Sequence, residues 1–153
     1  MKTIVIVNPQ AGNGRTGKIW PKIENALKQN IGSFQTLQTK SQGDAVLLTR
    51  KALEGGTTRI VAVGGDGHLN EVLNGFIEND VQLSPQATLG FVMSGTGCDF
   101  QRSLNISGNW QNSVANLKDA KVRKIDVGKV TYTARDNTQK IRYFDNIASF
   151  GLS

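Results

Sequence analysis

Cysteine is almost absent. Cys98 stands alone, which excludes an internal disulfide and any cysteine-based metal cluster. Histidine is as scarce, with His68 the single example. A lone histidine is more often a capping or surface residue than a catalyst, and Cys98 reads as a small filler beside a turn because no partner base is evident. No apolar run approaches the length of a membrane span. Thr3 to Val7 is too short for the apolar core of a signal peptide and leads straight into Asn8-Pro9. Runs of like charge are missing too, although the net charge is +6 and the pI near 9.7. Spread in this way, the positive charge reads as a solvated basic surface and not as a nucleic-acid patch. It suits an anionic partner such as a nucleotide or a phospholipid surface. These absences lead to the expectation of a cytoplasmic protein that, if it acts on lipid, does so peripherally from the membrane surface. The length allows about one domain with a real core.

What the sequence does have is glycine at the ends of short apolar runs. The stretch Arg59 to Glu71 reads as a buried strand, a turn and the start of a helix. Ile60 to Val63 suits a strand covered on both faces. Gly64, Gly65 and Gly67 then surround Asp66. Glycine lets a ligand approach the backbone closely, and a helix start presents free N–H groups and the positive end of its dipole. The arrangement predicts a phosphate site, with Asp66 placed to meet a metal ion or a hydroxyl proton. The alternative is a tight turn in which Asp66 is a cap. Asn70 and Glu71, one turn further on, read equally as solvated helix residues or as groups reaching back to a nucleotide or its metal.

Two further loops repeat the pattern. Thr3 to Val7 is an apolar strand followed by a turn-rich loop, Asn8 to Arg15, in which Asn8, Gly12, Asn13 and Gly14 offer backbone donors beside Arg15 and Lys18. Thr88 to Val92 is another strand and leads into Gly95-Thr96-Gly97-Cys98-Asp99. Three such loops at the carboxyl ends of strands in one sheet make a stronger signal than any alone, because ligands of open α/β sheets bind at that edge. Gly12 to Gly17 also fits a dinucleotide fingerprint, which would place NADP there with Lys40 near its 2′-phosphate. No acid follows the next strand, however, at Thr39-Lys40. Gly12 to Lys18 fits the start of a P-loop, but Ile19 stands where a hydroxyl is needed for Mg2+.

Helical periodicity is expected over Thr16 to Asn30, from a capping box at Ser41 and Asp44 through Leu53, from the central turn to about Glu78, and over about Asn109 to Lys118. Ser33 to Thr39 could be a strand, and Gln82 to Gln86 a polar loop. The β-α alternation predicts an open parallel α/β sheet. Val122 to Thr133 and Lys140 to Phe150 then read as strands joined by a turn at Arg135 to Thr138. A lone hairpin is marginal, so the reading is an α/β nucleotide-binding domain over residues 1–125 and the first hairpin of a truncated all-β domain over 126–153.

With these residues in view, the sequence resembles the diacylglycerol kinase catalytic domain family, which includes the sphingosine and ceramide kinases. The best match is to the soluble bacterial lipid kinases. Asn8-Pro9-Gln10-Ala11-Gly12 looks like its N-P-x-A/S-G opening, and Thr39 with Gly43-Asp44-Ala45 like its T-x-x-x-G-D-A segment. Gly64 to Val72 looks like G-G-D-G-T-x-N-E-V, and Gly95 to Phe100 like G-T-x-N-D-F. Ile125 to Gly128 and Asn146 to Gly151 look like the entry to its β-sandwich. His68 replaces the usual Thr, and Cys98 the usual Asn. The resemblance implies a sheet of the NAD kinase/diacylglycerol kinase type. It implies ATP with Mg2+ as cofactors, with Asn8, Gln10, Ala11, Gly12, Asn13, Gly14, Thr39, Gly64, Gly65, Asp66, Gly67, His68, Leu69, Asn70, Glu71, Gly95 and Thr96 lining the nucleotide site. Asp66 would serve the phosphates or their Mg2+, or act as the catalytic base, while in the bacterial branch the proposed base is a glutamate late in the second domain. No metal ligand is assigned within this chain. The implied activity is transfer of the ATP γ-phosphate to a lipid hydroxyl, with ATP and the lipid as partners, transient membrane contact, no nucleic acid, and a homodimer allowed. On this reading the chain is an N-terminal fragment that does not turn over by itself. The alternatives are an NAD kinase-like phosphotransferase, which shares the G-G-D-G turn, and a nucleotide-binding module without catalysis, suggested by His68 and Cys98.

Overall fold

Four strands, all but β2 largely apolar, form one parallel sheet: β1 (Thr3–Val7), β2 (Gln35–Gln38), β3 (Arg59–Gly64) and, after a short hairpin, β6 (Thr88–Met93), in the order β2-β1-β3-β6. A computed structural model describes residues 1–97, 99–106 and 108–145. The two faces of the sheet follow the period-2 alternation of the strands. Val5, Val7, Val61, Val63 and Val92 pack on one face against α1 (Arg15–Ile31) and α5 (Trp110–Asn116), through Trp20, Ile23, Leu27 and Val114. Ile4, Ile6, Ile60 and Ala62 pack on the other face against α2 (Asp44–Glu54) and α3 (Asp66–Phe76), through Ala45, Ala52, Leu69, Val72 and Phe76. The central strands are therefore buried on both faces, as their unbroken apolar runs require.

Gly75 lets α2 and α3 approach closely. A Cβ there would lie 2.4 Å from Thr49 Cβ and 2.8 Å from the Val46 carbonyl oxygen.

Several boundaries differ from the periodicity reading. α3 stops at Phe76, and residues 77–78 turn away as β4 (Ile77–Glu78), paired antiparallel with β5 (Val81–Gln82). Asn79 and Asp80, both at positive φ, form the turn. Nothing in the helical spacing announces this, because Ile77 continues the apolar pattern. The capping box at Ser41 is half formed. Asp44 Oδ2 accepts from the Ser41 N–H at 2.9 Å and the Lys40 N–H at 2.7 Å, but α2 begins at Asp44 after Gly43, which sits at φ 86. A short helix, α4 (Asp99–Ser103), also escaped the sequence reading.

The hairpin is present. Its strands, β7 (Gly128–Thr133) and β8 (Gln139–Phe144), pair antiparallel in a separate sheet, consistent with the start of a β domain. Residues 122–127, read as part of the first strand, hold no regular structure. The expected continuation of the second strand from Asn146 to Phe150 lies outside the described residues, as does Cys98. No helix among the described residues is long and apolar enough to cross a membrane.

Candidate functional site

The three glycine loops meet at the carboxyl edge of β1, β3 and β6. Hydrogen bonds tie them together: the Asn8 N–H donates to the Val63 carbonyl (2.9 Å), the Ser94 N–H to the Gly64 carbonyl (2.8 Å), and the buried hydroxyls of Thr16 and Ser94 lie 2.7 Å apart. Their backbones touch. A Cβ on Gly95 would lie 2.7 Å from Gly65 Cα, and one on Gly12 would lie 3.1 Å from the Ser94 carbonyl oxygen. The result is a cavity of about 340 Å3 lined by Asn8, Ala11, Gly12, Gly65, Asp66, Gly67, His68, Gly95, Thr96 and Gly97. Nine of these were expected. Gly97 was not, though it follows from the same loop.

The donors facing this cavity come chiefly from α3. Its N-cap, Gly65, is extended and provides no side-chain cap, so the N–H groups of Asp66, Gly67 and His68 begin the helix without one. The first loop behaves otherwise. The Gly14 N–H donates to the Gln10 carbonyl (3.0 Å), the Gln10 N–H to Asn8 Oδ1 (3.0 Å), and those of Arg15, Thr16 and Gly17 to the carbonyls of Gly12, Ala11 and Pro9. The expectation that Asn8 and Gly14 offer free donors is therefore corrected. Only Gly12 and Asn13 keep N–H groups without a hydrogen-bond acceptor among the described residues. A turn this tight folds its own amides inward.

Asp66 is the first residue of α3. Its Oδ1 accepts the Phe100 N–H at 3.1 Å, and its Oδ2 lies where a Cβ on Gly97 would come within 2.8 Å. Asp145, just past β8, is a second carboxylate near enough to feel this one. It hydrogen-bonds Asn70 and senses the charge of Asp66, and burial followed by that charge raises its carboxyl above the ordinary carboxylate range. Nothing in the sequence marks it, because it sits in a run read only as strand.

His68 is neither exposed nor a cap. It is 6% exposed, and its Nε2 lies 2.9 Å from the Ile6 carbonyl oxygen, which fixes the proton on Nε2. Its ring lies against Gly64, where a Cβ would meet it at 2.8 Å. The ring thus packs under the turn, onto β1. Burial is the larger influence and lowers its pKa, against the Ile6 bond and the nearby Glu71, which raise it. A histidine held neutral stabilises the fold fully above the free value of 6.5 and loses that contribution as the pH falls below it. Thermal melts of the protein and of His68→Gln from pH 7.5 to 5 should show a decline in the former that is reduced in the latter.

The other expected residues divide. Leu69 points its side chain into the core at 1% exposure. Thr39 bonds the Val7 carbonyl oxygen through its hydroxyl (3.4 Å). Gln10, Asn13 and Gly14 border the first loop, outside the cavity lining, and Gly64 is the last residue of β3. Asn70 is occupied by β8, and Glu71 faces a second groove, bordered by α2, α3 and the hairpin.

The sequence fits the diacylglycerol kinase catalytic domain over residues 2–130. The chain belongs to that family. It is 31% identical over 147 residues to a diacylglycerol kinase of Staphylococcus haemolyticus, covering 96% of this chain and 41% of the relative. A diacylglycerol kinase of Staphylococcus epidermidis is 30% identical over the same length, covering 96% and 42%. A crystal structure of a diacylglycerol kinase from Bacillus anthracis superposes with a TM-score of 0.71 at 29% identity, covering 85% of this chain and 46% of that one. The chain thus spans less than half the length of the relatives it matches. Those relatives are named as kinases, and the parallel sheet of this chain with a following small antiparallel sheet matches their fold.

Proposed function

We propose that this chain is the nucleotide-binding part of an ATP-dependent lipid kinase of the diacylglycerol kinase type, with residues 1–125 as its nucleotide domain and 126–153 as the start of a β domain. The observation that carries the reading is the uncapped start of α3 on a glycine turn, packed backbone to backbone against a second glycine loop, with Asp66 at the cavity. Helix starts of this kind bind phosphate because unpaired N–H groups and the dipole both favour anionic charge. Among the described residues no three carboxylate, imidazole or thiol groups converge to hold a metal. Mg2+ would come with the ATP, beside Asp66, and would offset the charge of the phosphates.

The chain's own contribution is positioning and proton transfer. The N–H groups of Gly65 to His68 and of Gly12 and Asn13 hold phosphate oxygens, and the glycines let those oxygens approach the backbone. The acceptor hydroxyl oxygen bonds to the γ-phosphorus as the bond from that phosphorus to the β–γ bridging oxygen breaks. ADP leaves with the bonding electrons, and the hydroxyl proton passes to the Asp66 carboxylate, which must lie within hydrogen-bond reach of it. The acceptor is a lipid, so the protein works in transient contact with a membrane surface, favoured by its net charge of +6.

The test is transfer of label from γ-labelled ATP by the full-length protein, with Mg2+, to diacylglycerol, monoacylglycerol, phosphatidylglycerol, sphingosine and NAD. Label in a lipid is the expected result and names the acceptor. Label in NAD alone moves the protein to the NAD kinase reaction. ATP bound without transfer to any of the five makes the domain a binding module.

A further inference from the structure

Two asparagines on α3 hold β8 in place. Asn74 pairs with both backbone polar groups of Tyr143: its Nδ2 donates to the Tyr143 carbonyl at 2.8 Å, and its Oδ1 accepts the Tyr143 N–H at 3.0 Å. Asn70, one turn earlier, donates to the same carbonyl at 2.9 Å and accepts from Arg142 Nε at 2.9 Å. A primary amide that both donates to and accepts from one residue does what a neighbouring strand would do. Among the described residues β8 has β7 on one side only, and α3 supplies a partner on the other at Tyr143.

A second fastening meets the first from the other end of the same tyrosine. The Tyr143 hydroxyl donates to Asp80 Oδ1 at 2.8 Å and accepts the Asp80 N–H at 2.9 Å, while Lys129 of β7 contacts Asp80 Oδ2 at 2.6 Å. The turn between β4 and β5 thus clasps the ring whose backbone α3 grips. Tyr143 is buried as a result, at 8% exposure. Two residues along the chain is Asp145, near enough to Asp66 and Asn70 for both to act on its carboxyl.

We propose that Asn74 is a positioning residue for phosphoryl transfer: by gripping the Tyr143 backbone it fixes β8 on α3 and so delivers Asp145 to the side of Asp66 at the mouth of the phosphate cradle. The inference rests on the kinase reading. The cradle itself is built from the loops after β1, β3 and β6 and the first residues of α3, Asp66 to His68, none of which Asn74 bonds through its side chain. Loss of the grip therefore disturbs the reacting end of the site and leaves nucleotide binding alone.

The experiment uses the full-length protein with MgATP and diacylglycerol in mixed micelles, and measures kcat, the equilibrium Kd for MgATP, and hydrogen exchange at the Tyr143 amide. Asn74→Ala is expected to lower kcat by roughly 10- to 100-fold, the cost of a misplaced reacting group, with Kd within about threefold of the parent, a shift under 1 kcal/mol, and with faster exchange at Tyr143. Asp145→Asn should lower kcat as well. The double variant should fall little below the worse single one, because residues acting through one group are not additive. If Asn74→Ala does not fold, Tyr143→Phe replaces it. That variant keeps the backbone pair, loses the clasp to Asp80, and should lower kcat in the same direction by less. Unchanged protection at Tyr143 overturns the grip. Unchanged kcat, a Kd that rises in step with the fall in kcat, or fully multiplicative losses in the double variant overturn the positioning role. A parent protein that binds MgATP and phosphorylates no lipid sinks the kinase reading and the transfer role with it, while exchange at Tyr143 still decides the grip.

Discussion

Asp66→Asn in the full-length protein should fold as the parent does and lose roughly 10²- to 10⁴-fold in kcat for lipid phosphorylation, the range supplied by a positioned general base. The substitution preserves what Asp66 does for the fold. Asparagine keeps Oδ1 as the acceptor for the Phe100 N–H, now 3.1 Å away, and changes the side-chain volume little. What it removes is the negative charge and the ability to take a proton. Melting temperature and MgATP affinity serve as controls. Both should stay close to the parent, so that a fall in turnover is assigned to chemistry. Turnover within a few-fold of the parent would transfer the base role to another carboxylate, and Asp145 would be the first to substitute.

Gly95→Ala should weaken MgATP binding by roughly 5- to 150-fold, which corresponds to the 1–3 kcal/mol that overpacking typically costs. The added methyl would sit 2.7 Å from Gly65 Cα and 3.4 Å from Gly65 N. Both are backbone atoms, so no side chain can swing aside. Gly64 cannot relax freely either, because the ring of His68 lies against it and is itself bonded to Ile6. The two loops must part, and the amides of α3 move away from the Ser94 loop. The core clusters on the two faces of the sheet are not touched, so the cooperative unfolding transition should survive. Calorimetric titration with MgATP measures the effect. An unchanged affinity would mean that the nucleotide does not use the space between these loops.

The strands of the parallel sheet and the central turn were legible because the physics that makes them is local. Ile60 to Val63 is apolar at every position, so it can only be covered on both faces, and glycines around one carboxylate before a helical pattern specify a turn that admits an anion. The hairpin was legible for the same reason. The end of α3 was not, because Ile77 satisfies both the helical spacing that precedes it and the strand pair that it enters. The free donors of the first loop were overestimated because glycine content shows that a turn is possible but not where its amides point.

By itself the sequence determined the layered α/β fold, the edge of the sheet at which the loops gather, and the family to which those motifs belong. Each rests on periodicity or on residues close together in the chain. Only the tertiary structure decided that His68 turns under the glycine loop onto β1, 62 positions away, that Asn74 serves as a strand partner for Tyr143, 69 positions away, and that Asp145 comes near enough to Asp66 to sense its charge. These are polar contacts between distant segments. A side-chain amide or imidazole looks the same in sequence whether it faces water or a buried carbonyl, and burial chooses between them by the cost of leaving that carbonyl without a donor.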